Sequence, residues 1–350
     1  LAGRKRGALL SPTEGSGDPV LAWGKSSNPR SGFNQSIKAK MKTLNAKYRL
    51  KTASILFSFL FFGLLATGAN AAKETLPWSE LLIFGDSYSD PGNLHARTNG
   101  EKAPSPPHWR GRFSDGPIWA DLLPERLGLP HEPEKNFAFG GAFSDGRNIG
   151  DADWPGLADQ VDAFLRDQAR DGDAPTSASL AIIWAGANDY FHDPKAQPEA
   201  VVGHLAAATR RLAEAGVQDF LLLNLPDLGA TPGAQKFRHP ATLSALTREH
   251  NFLLAEEAAK LEKELGVRVI ALDVAEFFAK AQAVPSAFGL ANVSEPCFDG
   301  GAPCPDGRTR LFWDWIHPSG AAHRLLADLA ADKLREVAFS SESAARKSAP

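Results

Sequence analysis

Much that would decide a protein's class is scarce in this chain. Its 350 residues contain two cysteines, one methionine and three tyrosines. Two cysteines exclude a disulfide scaffold as the basis of the fold, and without histidine partners at ligand spacing they leave no basis for a thiolate zinc site. A strong net charge is missing too: 38 Lys and Arg stand against 41 Asp and Glu, a formal charge of -3. Beyond residue 71 no apolar stretch approaches the roughly twenty residues needed to cross a bilayer, and neither repeats nor low-complexity tracts occur. Apolar residues are plentiful, and 43% of the chain is ample for a buried core at this length.

The near-neutral total hides an asymmetry. Residues 1–71 carry eleven Lys and Arg against two acids, which leaves 27 against 39 in the rest, or about -12. That remainder would be repelled by phosphate backbones and anionic headgroups, which argues against nucleic acid as a partner. The basic head has a readable cause. From Met41, "MKTLNAKYRLK" supplies Lys42, Lys47, Arg49 and Lys51, "SILFSFLFFGLLA" is an uncharged run of thirteen, and "TGANA" brings small residues to Ala69 and Ala71. These are the three parts of a signal peptide, expected over 41–71 with cleavage after Ala71. The mature protein is therefore expected to be secreted or periplasmic, with no stable membrane span. Residues 1–40, ahead of the sole methionine, lack periodicity and are expected to be untranslated or disordered. In an oxidising compartment Cys297 and Cys304, with six residues between them in a Gly- and Pro-rich segment, are expected to pair with each other.

Five short apolar runs follow: "ELLIFG" from Glu80, "KNFAFG" from Lys135, "SLAIIWAG" from Ser179, "DFLLLNL" from Asp219 and "VRVIALD" from Val267. Each suits a strand buried on both faces. Between them lie helical patterns over 156–168, 199–216 and 242–266, the last two ending on glycine. Strand alternating with helix predicts a three-layer α/β/α sandwich around a flavodoxin-like, five-stranded parallel sheet, as a single domain over 72–340 followed by a disordered tail at 341–350. Right-handed crossovers bring every strand-to-helix loop to one rim, where the functional residues are expected. Residues 91–116 and 283–313 are long, turn-rich and aromatic, and are expected to wall a substrate pocket.

The first run ends on Gly85-Asp86-Ser87. A serine there can be a nucleophile exposed at the entry to a helix or a plain helix cap. Gly140 and Gly141 end the second run, where a glycine either permits positive φ or lets a backbone N–H reach a substrate. Asn188, in "GANDY", is an amide donor at the same rim or an Asx-turn residue. A serine needs a base, and two of the nine histidines carry an acid three residues upstream: His192 with Asp189 and His317 with Asp314. His317 is favoured because it precedes Pro318, a good first residue for the amphipathic helix that follows. His192 sits in a "YFHDP" turn. Asp86 and Asp90 are read as structural, one a buried hydrogen-bond acceptor and one a turn residue.

The blocks "GDSYSD", "NFAFGGA", "GAND" and "DWIHP", in this order over about residues 84–334, resemble the GDSL esterases and lipases, also called SGNH hydrolases. Tyr88 stands where the family name has Leu, and the long loops resemble the larger secreted bacterial members, among them lysophospholipase-acyltransferase relatives and an acetylcholine-cleaving one. The resemblance implies Ser87 as nucleophile, His317 as base and Asp314 as its orienting acid, with an oxyanion hole from the Ser87 N–H, the Gly141 N–H and the Asn188 side chain. Gly141 is preferred to Gly140 because the family's glycine aligns just before Ala142. It implies an exported carboxylic-ester hydrolase with no cofactor and no metal, acting on a small-molecule or lipid ester. A lysophospholipase or acyltransferase with the same triad is the alternative, and a non-catalytic glycan- or lipid-binding module on the same fold is the rival from another class. Tyr190, Phe191, Trp154 and Trp313 are expected to line the substrate pocket, with Trp109, Phe113 and Trp315 as further candidates.

Overall fold

The computed structural model describes residues 76–171, 175 and 178–348. The expected extension, the signal segment and the Ala71 cleavage site lie outside the described residues. Strand β1 (Glu80–Gly85) leads through α1 (Asn93–Arg97), α2 (Trp119–Leu127) and α3 (Leu157–Asp171) to β2 (Ser179–Trp184). Then come α4 (Ala187–His192), α5 (Pro198–Glu214), β3 (Asp219–Leu223), α6 (Ala234–Phe237) and α7 (Pro240–Leu265). The chain finishes with β4 (Arg268–Leu272), α8 (Val274–Ala283), β5 (Asn292–Pro296), β6 (Arg310–Phe312) and α9 (Gly320–Ser348).

Strands β1 to β4 form one sheet in that order, every neighbouring pair parallel. All residues of β2 and β3 are buried, which requires cover on both faces. Helix α9 packs on α2, while α3, α5 and α7 lie side by side, so helices flank the sheet in the expected α/β/α manner. The second apolar run is the fifth member in a reduced form. Asn136 bridges Ile83 in parallel, and the N–H groups of Phe137 and Phe139 donate to the carbonyls of Ile83 and Gly85 at 2.7 and 3.1 Å. It does not grow into a full ladder because the Gly85 N–H, which would meet the Phe137 carbonyl, donates instead to Gln160 Oε1 at 2.9 Å. With this segment on one side of β1 and β2 on the other, the strand order reverses direction at β1. In open α/β sheets ligands bind outside the carboxyl end of the strand where this happens.

Local chemistry sets the element ends. Pro240 opens α7, and Gly266 closes it at φ +66°, a left-handed cap that a Cβ would strain. The last helix begins two residues later than expected: Pro318 bridges Phe312, and the Ser319 hydroxyl caps the helix by accepting the Ala322 N–H. The tail expected at 341–350 is helical as far as Ser348, because "SESAARKS" holds no Gly or Pro and supplies Ala, Glu, Arg and Lys, which favour helix. Cys297 and Cys304 are disulfide-bonded, with Cα atoms 4.8 Å apart.

Candidate active site

The apolar β1 carries the chain to the rim and stops on Gly85, where no side chain fits: a Cβ would lie 2.2 Å from the Trp184 carbonyl oxygen on β2. Residues 86–89 then turn tightly. The Ser89 N–H donates to the Asp86 carbonyl at 3.0 Å, and the Tyr88 N–H to Asp86 Oδ1 at 3.0 Å. Ser87 therefore sits in this turn rather than at a helix entry, since α1 starts only at Asn93. Its Oγ lies 2.8 Å from His317 Nε2.

The imidazole is fixed from several sides. His317 Nδ1 is 2.7 Å from Asp314 Oδ2, while Asp314 Oδ1 accepts the N–H groups of Ile316 and His317 at 2.9 and 2.8 Å. Phe113 stacks on the His317 ring, with centroids 4.8 Å apart, and Tyr88 meets its edge. Burial opposes the charge on Asp314, but His317 and the two N–H groups outweigh it and hold the carboxyl below the usual range. A carboxylate on Nδ1 leaves Nε2 free to accept the serine proton.

Facing Ser87 is a cavity of about 270 Å³, lined among others by Phe113, Gly141, Ile149, Trp154, Asn188 and His317. The backbone N–H groups of Ser87 and Gly141 have no acceptor among the described residues, whereas the Gly140 N–H is spent on Asp90 Oδ2 at 2.7 Å. Gly141 has φ +81°, and a Cβ there would strike Ile149 and Asn148. Asn188 Nδ2 donates one hydrogen to the Ala142 carbonyl at 2.9 Å, which fixes the amide and leaves its second hydrogen available. Three proton donors thus gather at the rim beside the Ser87 hydroxyl.

Other expected site residues lie elsewhere. Of the four favoured pocket aromatics only Trp154 lines the cavity. Tyr190 is wholly buried with its hydroxyl 2.9 Å from His250 Nδ1, because α4 turns that face into the core. Phe191 packs on Phe237, and Trp313 stacks on Phe298 while its Nε1 donates to His108 Nδ1. Trp109 lies beneath Arg110 and Arg112, and Trp315 under Lys236. Phe113 does line the cavity. His192 is at its edge but lacks its acid: Asp189 accepts the N–H and hydroxyl of Ser144. Of the two acids read as structural, Asp86 is the buried acceptor expected, taking the Tyr88 N–H, while Asp90 does more than expected. Asp86 uses one oxygen, its Oδ2 is buried without a partner, and burial pushes the carboxyl up to about 7. Asp90 is no mere turn residue; it binds four backbone N–H groups. Asn93 and Asn136, which tie these loops together, went unread; the turn signal "DPGN" hinted at the local contacts only.

Comparison with known proteins identifies the family. Residues 81–330 match the family model described as GDSL-like Lipase/Acylhydrolase. The Phosphatidylcholine-sterol acyltransferase of Aeromonas hydrophila is 31% identical over 251 residues, 68% of this chain and 71% of the relative. The Thermolabile hemolysin of Vibrio parahaemolyticus is 26% identical over 281 residues, covering 74% of this chain but 64% of the relative. Among solved structures, the aryl esterase of M. smegmatis aligns with a TM-score of 0.44 at 16% identity, over 74% of this chain and 99% of that one. A family model that spans most of the chain, together with the four sequence blocks, makes this protein a member of the GDSL-like lipase/acylhydrolase family.

Proposed function

We propose that the chain is an exported serine esterase in which Ser87 is the nucleophile, His317 the general base and Asp314 the group that orients it. One observation carries the reading: Ser87 Oγ, His317 and Asp314 form an unbroken relay with contacts of 2.8 and 2.7 Å. His317 takes the hydroxyl proton as Oγ bonds to the ester carbonyl carbon. The carbonyl oxygen, now negative, is met by the N–H groups of Ser87 and Gly141 and the free Asn188 hydrogen. When the bond between the acyl carbon and the alcohol oxygen breaks, His317 returns the proton to that leaving oxygen, and an acyl-Ser87 ester remains. Water, deprotonated by the same imidazole, then releases the acid.

Carboxylic-ester hydrolysis is the activity that the family description supports. The name of the Aeromonas relative favours a second reading of the last step, in which an alcohol takes the acyl group in place of water. Export is supported by the leader pattern at 41–71 and by the disulfide, which belongs to oxidising compartments. No helix among the described residues is long and apolar enough to cross a membrane. Ser87→Ala, folded by circular dichroism, is expected to lose at least about a thousandfold in kcat on a chromogenic short-chain ester. Undiminished turnover would remove Ser87 from the reaction and overturn the relay, while a wild-type protein that turns over no ester would favour the binding-module reading.

A further inference from the structure

Asp90 is fully buried at the end of the nucleophile turn. Its Oδ1 accepts the N–H groups of Gly92 and Asn93 at 2.7 and 2.5 Å. Its Oδ2 accepts those of Leu94 at 3.2 Å and, fifty residues along the chain, Gly140 at 2.7 Å. Parallel straps join the same two stretches: Asn93 Nδ2 donates to the carbonyls of Asn136 and Ala138, and Asn136 Nδ2 to that of Ser89. Of these straps only Asp90 reaches the residue next to Gly141. An ionised carboxylate accepts and never donates, so all four contacts are satisfied, and bonds to a charged acceptor are about twice as strong as neutral ones. Burial pushes its carboxyl up to about 6 against the pull of the four N–H groups, which leaves it ionised at neutral pH.

Oxyanion stabilisation depends on donors that stand in place before charge develops. The Gly140-Gly141 pair has no side chains to anchor it, and Gly141 has the left-handed backbone that only glycine adopts freely. We propose that Asp90 is a positioning residue for the oxyanion hole: by gripping the Gly140 N–H and the nucleophile loop on one carboxylate, it sets the separation of Ser87 from the Gly141 N–H. The inference rests on the roles proposed above for Ser87 and Gly141.

Asp90→Asn tests it. The isosteric amide has one acceptor oxygen for four N–H groups, so in either orientation its NH2 group faces two of them, Leu94 and Gly140 or Gly92 and Asn93, donor against donor, and one side of the grip is lost. On a chromogenic ester, kcat is expected to fall about 10- to 100-fold with KM within about threefold, the pattern of a contact realised in the transition state. Affinity for a trifluoromethyl ketone, which forms an oxyanion on Ser87, should fall by the same factor, while that for an unreactive substrate-like alcohol stays unchanged. A core variant of α7, Leu261→Ala, which lies far from these loops, serves as the stability control and should keep kcat within about twofold. A kcat within threefold of wild type, a loss carried by KM, or an equal loss in the core variant would overturn the inference. Ser87→Ala, run alongside, separates the two claims: if it is inactive while Asp90→Asn is normal, the esterase reading stands and the positioning role falls. Should Asp90→Asn not fold, the wild-type protein decides. The Gly140 amide must exchange with solvent as slowly as the β1 amides, and exchange at the rate of an open loop overturns the proposal.

Discussion

Two Asp-x-x-His segments of identical spacing come to opposite ends in this molecule. In 314–317 the backbone curls round the acid, so Asp314 Oδ1 caps two N–H groups and Oδ2 is left for His317 Nδ1. In 189–192 both residues lie on α4, and the acid turns inward to Ser144, whose hydroxyl is in turn 2.9 Å from His204 Nδ1. His192 is left against Phe191 and Phe237, where burial lowers its pKa. Spacing thus offers an acid to an imidazole, and the conformation between them decides whether the offer is taken. A helix sets residues three apart as neighbours on one face without aiming one at the other. The turn at 314–317 aims them by using up the other carboxylate oxygen.

The comparison breaks most sharply at the imidazoles. His317→Ala is expected to lower kcat by at least about 10⁴-fold, toward the ~10⁶ that removal of the base costs in such a relay, while His192→Ala should stay within about threefold. Steady-state kinetics on one ester measures both, and the reverse ranking would transfer the relay to 189–192. The next effect concerns the residue just ahead of the 189–192 segment. Asn188 shares α4 with the idle pair yet offers its spare hydrogen to the cavity, so Asn188→Ala should cost about 10²-fold in kcat with little change in KM. A loss confined to KM would make Asn188 a ground-state contact only.

What the sequence disclosed follows the range of each interaction. The four core strands were legible because continuous burial leaves a continuous apolar run; the positions of Ser87, Gly141, Asn188, Asp314 and His317 after such runs or ahead of a helix left cap and turn readings open, and only the resemblance of the four blocks singled them out. The segment at 135–140 read as a full strand because its composition is apolar; that Gln160, on a distant helix, takes the Gly85 N–H its ladder would need is a tertiary fact with no local mark. Tyr190, Phe191 and Trp313 read as pocket walls because an aromatic beside a motif looks the same whether it faces cavity or core. The direction is set by what packs behind it: His250, Phe237 and Phe298. Asp90 shows the limit most clearly, since its turn contacts are local while its bond to Gly140 spans fifty residues.

The smallest effect is also the one that separates the two acids without reference to turnover. Asp314 is held below its ordinary 3.8: burial opposes its charge, but His317 and the N–H donors prevail. Its contribution to stability is complete above the unfolded value and is lost as pH falls through the lower folded one. Asp189 is the reverse, pushed up to about 6 by burial despite its bonds to Ser144. Between 3.8 and about 6 the native state holds a proton there that the unfolded chain has lost, so this contribution is complete at acid pH and disappears as pH rises to about 6. Asparagine at either position removes the titration. The thermal deficit of Asp314→Asn should therefore shrink on going from pH 6 to pH 3, while that of Asp189→Asn should grow. For Asp189 the change is at most about 3 kcal/mol, a shift of several degrees in Tm for a domain of this size. Melting curves at matched ionic strength that move in the same direction for both variants would erase the distinction between the two pairs.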